Sequence, residues 1–135
     1  MLRTFATEYV LHGTNLSEIF PTDEAIVVNF EQGIYYWNEF KDIQQTGKCS
    51  VRFYIYEFDK TKAYQNCEIK IIKSNVIEYI DFYTLIQWVK KYGMKIYIDY
   101  YSFLSKSILL IGTSNEYSVE LTITDIVNVV IDTIN

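Results

Sequence analysis

The sequence predicts an α+β fold, in which a single domain over residues 1–135 has a mostly antiparallel sheet with two helices packed on one face. The chain has 135 residues, a length typical of one domain. Hydrophobic residues make up 50% of it and aromatic residues 17%, which is enough to form a packed core. Many short stretches alternate β-branched or aromatic residues with polar ones, and this pattern favours strands over helices.

The first predicted helix follows Asp81 and ends at Gly93. The Asp81 carboxylate is placed to accept from an unpaired backbone N–H in the first turn. Glycine is the residue that most easily adopts the left-handed conformation that ends many helices. The apolar residues between them recur at the i, i+3, i+4 and i+7 spacing of one helix face: Phe82, Leu85, Ile86 and Val89.

The second predicted helix covers residues 125–134 and is capped by Thr124. Its apolar stripe consists of Ile126, Val127, Val130 and Ile134. Because β-branched side chains lower helix propensity, a strand remains the alternative for this segment.

Strands are predicted for most of the remaining chain, with a short helical turn at residues 17–20. A hairpin at residues 31–33 joins two strands, and a turn at 59–61 folds residues 67–73 back against 51–58. That pairing sets Cys49 away from Cys67, so we expect two free thiols. The predicted strands are 2–11, 25–30, 34–37, 51–58, 67–73, 76–79, 94–101, 107–112 and 117–123.

Charge is distributed unevenly along the chain, whose net charge is −5. Residues 1–40 carry −5, residues 41–106 carry +4 and residues 107–135 carry −4. Either the acidic ends fold against the basic middle, or they form an acidic face that meets a partner with a basic surface. The negative balance makes nucleic acid an improbable partner.

The sequence contains no secretory signal and no apolar run of the ~18–20 residues that span a bilayer. We therefore expect a cytoplasmic protein that does not contact membranes. Its single histidine and two cysteines cannot supply the four ligands of a structural zinc site, and its glycines are too widely spaced to cradle a phosphate. No metal or other cofactor is predicted.

Three patterns suggest chemistry, each weakly. Glu68 and Lys70 on one strand, with Asp59 upstream, resemble the D…ExK arrangement of metal-dependent nucleases, where acids hold Mg²⁺ and a lysine helps to activate water. Residues 52–56 interleave arginine with aromatic residues, as strands that stack RNA bases do, although the glycines of that motif are absent. His12 with either cysteine would form a nucleophile and its base.

The strongest functional signal is tyrosine on predicted outward strand faces. Tyr97 and Tyr101 share one predicted face with Lys95 and Asp99, and Tyr54 and Tyr56 share another with Arg52. Tyrosine is amphipathic and common at protein interfaces, whereas the alternative is that a helix covers these faces. We therefore predict a small acidic protein-binding module, an inhibitor or neutraliser of the immunity or phage anti-defence type that acts by steric occlusion. The alternatives are the nuclease and a self-associating module with a tyrosine-lined homodimer interface. The predicted partner-binding residues are Tyr54, Tyr56, Tyr97, Asp99, Tyr101, Glu116 and Glu120.

Overall fold

The structure, a computed structural model, describes residues 8–133 and is mostly β, with 56% strand and 14% helix. A 3₁₀ helix covers Lys60–Gln65 and one α-helix, α1, covers Phe82–Tyr92. The strands are β1 (Tyr9–Val10), β2 (Asn15–Leu16), β3 (Glu18–Pro21), β4 (Ala25–Phe30), β5 (Tyr35–Trp37), β6 (Ile43–Gln45), β7 (Cys49–Ile55), β8 (Cys67–Lys73), β9 (Val76–Ile80), β10 (Met94–Ser102), β11 (Ser107–Ser114), β12 (Tyr117–Ile123) and β13 (Ile126–Thr133).

The described strands form three antiparallel sheets rather than one. The six-stranded sheet has the order β2-β10-β11-β12-β8-β9, and the four-stranded sheet has the order β13-β7-β4-β3. A small third sheet contains β1, β5 and β6. The predicted α+β fold, with one sheet covered by two helices, is therefore wrong.

One hydrophobic core joins the two larger sheets. Phe30 and Phe53 come from the four-stranded sheet, Leu110 and Leu121 from the six-stranded sheet, and Phe82 from α1, and all five are fully buried. Burying a side chain of this size contributes roughly 1.5–3 kcal/mol. Because α1 contacts β3, β8 and β11, it bridges the two sheets instead of covering one of them.

The predicted helix is confirmed at both of its ends. The Asp81 carboxylate accepts from the Thr84 N–H at 2.7 Å, which satisfies one of the free donors of the first turn. Gly93 has a φ of 68° and donates its N–H to the Val89 carbonyl at 2.7 Å. Phe82, Leu85 and Val89 are buried, as the apolar stripe predicts.

The second predicted helix is wrong, because residues 126–133 form the strand β13, which pairs antiparallel with β7. Val129 and Ile131 pack against the core and Asn128 is exposed, so the segment alternates with the period of a strand. The predicted turn at 17–20 is likewise replaced by β3, which pairs with β4. Ile134, which we assigned to the helix stripe, lies outside the described residues.

Two predicted hairpins are also wrong. β7 pairs with β4 and β13, whereas β8 pairs with β12 and β9, so the 59–61 turn carries the chain from one sheet to the other. β5 pairs with β1 and β6 rather than with β4. Of the first predicted strand, only residues 8–11 are described. Cys49 and Cys67 are free and buried, as expected, but they lie in different sheets.

A β-bulge interrupts β10 at Tyr97. Ile96 is paired with Gly112 and Ile98 with Ile111, so Tyr97 is an extra residue in the strand. A Cβ on Gly112 would overlap the backbone carbonyl of Lys95, so only glycine allows β10 this close to β11. The bulge reverses the side to which every later residue of β10 points.

Replacing Gly112 should therefore destabilise the fold strongly. We expect Gly112→Ala to lower the free energy of unfolding by about 2–3 kcal/mol, because the new methyl group meets backbone that cannot rotate away. Urea denaturation followed by circular dichroism measures the change. Ser118→Ala, at an exposed site on β12, is the control and should change stability by less than about 0.5 kcal/mol. Equal stabilities for the two variants would contradict the close approach.

Candidate protein-binding surface

The bulge at Tyr97 creates an apolar surface on the outside of the β10–β11 hairpin. Residues paired directly across antiparallel strands point to the same side of a sheet. Beyond the bulge, Asp99 pairs with Leu110, which is in the core. Because side chains alternate along a strand, the residues on either side of this pair point outwards. Ile98 is paired there with Ile111, and Tyr100 with Leu109. With the two apolar residues of the turn, they form what we call the hairpin surface: Ile98, Tyr100, Phe103, Leu104, Leu109 and Ile111.

Four of these six side chains are highly exposed for apolar residues, whereas Leu109 and Ile111 are half-buried. Leu104 is 100% exposed, Phe103 66%, Tyr100 64% and Ile98 51%. Single exposed apolar residues are ordinary, whereas a contiguous group of them marks an interaction site.

Polar side chains from the next two strands border the hairpin surface. Glu120 of β12 pairs with Ile111 and Thr122 pairs with Leu109, so both lie on the outer side of the sheet. Lys70 of β8 pairs in turn with Glu120. An apolar centre with a polar rim is the usual anatomy of a protein–protein interface.

The tip of the hairpin is held by its own contacts. The Phe103 ring meets the Tyr101 ring edge-on, with 5.0 Å between the ring centroids. Ser105 donates its N–H to the Ser102 hydroxyl at 3.2 Å, and its own hydroxyl lies 2.8 Å from that of Ser107. These contacts preorganise the exposed tip, which lowers the entropy lost when it binds.

The segment before β2 holds the bulge from its other side. Gly13 donates its N–H to the Ile96 carbonyl at 2.7 Å, and the Ile96 N–H donates to the Thr14 carbonyl at 2.9 Å. The His12 ring nitrogen Nδ1 contacts the carbonyl of Tyr97 itself. The backbone groups at the bulge that do not bond to β11, namely the Ile96 N–H and carbonyl and the Tyr97 carbonyl, therefore have partners in residues 12–14.

Asp99 is the charged group that the bulge turns towards the core. Its Oδ2 accepts from the Leu11 N–H at 3.3 Å. Burial raises the pKa of Asp99, and the hydrogen bond from Leu11 and the nearby His12 offset part of that rise. A carboxyl group placed inwards at this point costs stability when it ionises.

The bulge separates the residues that the sequence grouped on one face of β10. Tyr97 is 43% exposed, but Asp99 and Tyr101 are only partly exposed and lie on the core side. The outward positions go instead to Ile98 and Tyr100, which strict alternation assigns to the core face. Alternation alone carries no signal for the extra residue, so sequence reasoning missed the hairpin surface.

Tyr54 and Tyr56 lie away from the hairpin surface. Tyr54 is half-buried on the outside of the four-stranded sheet, two residues from the exposed Arg52. Tyr56 is 65% exposed in the segment after β7 and donates its N–H to the Asp125 carbonyl at 2.9 Å. The two predicted tyrosine groups thus belong to different sheets and do not form one surface.

The ion pairs of the described residues join the acidic ends of the chain to its basic middle. The nitrogen–oxygen distances are 3.4 Å for Lys48–Glu31, 3.4 Å for Arg52–Asp132, 2.9 Å for Lys60–Asp23 and 3.8 Å for Lys73–Glu116. Every pair takes its base from residues 41–106 and its acid from one of the ends. The Glu116 that we assigned to partner binding is therefore paired within the chain, and the acidic ends are partly neutralised.

The three residues of the nuclease interpretation have separate surroundings. Glu68 and Lys70 lie two residues apart on β8 and share its outer side, and the Lys70 ammonium sits 5.7 Å from the centre of the Tyr79 ring. The Asp59 carboxylate instead caps the 3₁₀ helix, accepting from the Thr61 N–H at 2.9 Å and its hydroxyl at 2.6 Å. These hydrogen bonds lower the pKa of Asp59. Within residues 8–133 no three His, Cys, Asp or Glu side chains are grouped as metal ligands.

His12 and the cysteines also have separate surroundings. His12 is exposed beside Tyr97 and Asp99, whereas both thiols are buried. Burial raises the pKa of Cys67 to about 12 and that of Cys49 above its usual value, which keeps both thiols protonated and weakly nucleophilic at neutral pH.

No helix in the described part of the chain is both long and apolar enough to cross a membrane. Comparisons with protein-family models, with curated proteins and with solved structures found no significant match. The surfaces of the molecule therefore carry the functional argument.

The partly buried position of Asp99 predicts a stability that depends on pH. Its folded pKa lies above its ordinary value of 3.8, so the wild-type protein loses stability as the pH rises from 3.8 through the folded pKa. Asp99→Asn keeps an oxygen that accepts from Leu11 and removes the charge. We expect this variant to gain stability relative to the wild type at pH 7 and little at pH 3, measured by urea denaturation at both values.

Asp81→Ala is the matched control with the opposite sign. Its hydrogen bonds with Thr84 lower the pKa of Asp81, so the stability that Asp81 contributes is present at pH 7 and lost on acidification. The variant should therefore be destabilised more at pH 7 than at pH 3. If Asp99→Asn gains the same stability at pH 3 and at pH 7, burial of the charged carboxylate is not the cause of the gain.

Proposed function

We propose that this protein binds another protein through the hairpin surface and acts by covering part of its partner. The observation that carries the proposal is the group of exposed apolar side chains at the end of the β10–β11 hairpin, of which the bulge at Tyr97 turns Ile98 and Tyr100 outwards. Inhibition or neutralisation of the partner by occlusion, as immunity and phage anti-defence proteins achieve it, is the form of action that we propose. This action needs no cofactor.

The arrangement of the hairpin surface supports a protein partner. Tyr100 and Phe103 supply large aromatic areas, and Leu104 projects fully into solvent at the end of an ordered turn. Buried aromatic anchors carry much of the energy of protein interfaces, and a preformed tip loses little freedom when it enters a pocket. The occupant that fits is a folded protein with an apolar cleft.

The ion pairs change the mechanism that charge alone suggested. Because the acidic ends are partly neutralised by the middle of the chain, we propose that apolar contact, rather than attraction to a basic surface, supplies most of the affinity. Glu120 remains in the polar rim, where a charge influences the encounter rate and the choice of partner more than the affinity. The two buried, unbridged cysteines fit a reducing compartment, in line with the cytoplasmic location that we propose.

Truncation of the hairpin surface should weaken capture of the partner. In a pull-down from lysate of the source cells, we expect the wild type to retain one stoichiometric protein at both 0.1 M and 1 M salt. Leu104→Ser and Tyr100→Ser should each weaken binding by roughly thirtyfold or more, the effect of removing an interface anchor. Titration calorimetry with the identified protein measures the affinities.

Phe40→Ser is the control, since Phe40 is 76% exposed in the turn between β5 and β6, in a different sheet from the hairpin. It should bind as the wild type does, and circular dichroism should show all three variants folded. Capture that survives both hairpin variants would refute the proposed surface. Capture that is lost in 1 M salt would restore the acidic-face mechanism, and retention of nucleic acid alone would favour the nuclease.

A further inference from the structure

The strand β9, Val76–Ile80, ends the six-stranded sheet with a bare edge. Among the residues that the structure describes, β9 is paired with β8 on one side and has no strand on the other. Its side chains are exposed on both faces, with Val76 at 58%, Ile77 at 57% and Tyr79 at 66%. A free edge of this kind is a template for pairing with another strand.

The other sheet edges of residues 8–133 carry features that discourage such pairing. β1 and β2 have two residues each, and β6 has three. β3 ends at Pro21 and is covered by α1, and β13 is bulged between Ile126 and Asn128. β10 pairs with β2 only at Met94 and Lys95, and the rest of its edge carries the bulge at Tyr97 and the inward-facing Asp99. Short strands, proline and bulges protect edges, and β9 has none of these three features. Its one charged residue, Glu78, pairs with the buried Ile71 and so lies on the inner side of the sheet.

We propose that β9 pairs antiparallel with β9 of a second copy of this chain, about a twofold axis at Glu78. The argument for a second copy is the symmetry of the strand, whose pattern around Glu78 is the same in both directions. In this register Val76 meets Ile80 of the other copy and Ile77 meets its Tyr79, so apolar pairs flank the axis, where the two Glu78 side chains lie opposite each other. The two six-stranded sheets then become one continuous sheet.

The geometry of the β8–β9 hairpin supports this pairing. Ser74 and Asn75 have φ values of 51° and 65°, the left-handed pair of a tight two-residue turn. The pairing of β8 with β9 continues without a register shift from Lys73–Val76 to Ile69–Ile80, so β9 presents a regular edge. The hairpin surface, on β10 and β11, remains free, so the dimer does not depend on the proposed partner binding.

A disulfide at the twofold axis tests the register. Glu78→Cys should form an intermolecular disulfide under mild oxidation, because the two introduced thiols face each other at the distance of paired strands. Ile77→Cys is the matched control and should cross-link poorly, since its counterpart faces Tyr79. The native cysteines are buried and do not compete. Efficient cross-linking of Ile77→Cys, or none in Glu78→Cys, would overturn this register.

Sedimentation equilibrium tests the dimer itself. The chain has a mass of 16.0 kDa, and we expect the wild type to approach twice that mass as its concentration rises. Ile77→Lys should restore the monomer, whereas Glu78→Gln should lower the dissociation constant by up to about fivefold, because it removes two opposed charges. A wild-type mass of 16.0 kDa at every concentration would overturn the proposal.

Ile98→Lys separates this proposal from the proposed function. Ile98 and Ile77 are 51% and 57% exposed on the same sheet, but Ile98 belongs to the hairpin surface. We expect Ile98→Lys to remain dimeric and to lose the protein partner, and Ile77→Lys to be monomeric and to keep it. A dimer that Ile98→Lys dissociates and Ile77→Lys leaves intact would overturn the β9 interface and assign the hairpin surface to self-association.

Discussion

The one extra residue in β10 determines what this molecule presents to its surroundings. Without the bulge at Tyr97, the outward residues Ile98 and Tyr100 would continue the core face begun by Met94 and Ile96. With it, the sheet keeps its hydrogen bonds while the apolar side chains at the end of the hairpin face solvent. The absence of a Cβ at Gly112 is the condition that permits this shift, because the backbone of β10 fills that space.

The core depends on contacts between segments that are far apart in sequence. β7 lies between β4 and β13, so its neighbours come from an early part of the chain and from its end. The ion pairs follow the same arrangement, since each joins an end of the chain to the middle. Folding of this kind brings some of the opposite charges together as a consequence of the sheet order, and it partly neutralises the acidic ends of the chain.

The two proposed interaction surfaces lie on one sheet but rely on different physics. The hairpin surface offers apolar side chains, whose burial favours a complementary pocket in a different protein. The edge of β9 offers unpaired backbone groups in a symmetric strand, which favours an identical strand. A dimer formed along β9 would present two hairpin surfaces, and a partner with two copies of its cleft would be held more tightly through their linkage.

The features that can be predicted from the sequence are those whose causes are local. The helix Phe82–Tyr92 was predicted with its cap at Asp81 and its stop at Gly93, and the strands β7, β8 and β12 were recognised from alternation. These features depend on residues within one or two turns of each other, so their signal lies in a short window. The cysteines are free, as predicted, but the reason is that they lie in different sheets and not that a hairpin separates them.

The fold class, the sheet order and the candidate surface depend instead on contacts between distant segments of the chain. Residues 126–133 have apolar positions that suit a helix or a strand, and pairing with β7 selects the strand. The bulge at Tyr97 depends on a glycine in a neighbouring strand and on the backbone of residues 12–14, so no local sequence pattern predicts it. Exposure is set by which strands become neighbours, and for that reason a sequence with many tyrosines could not say which of them face solvent.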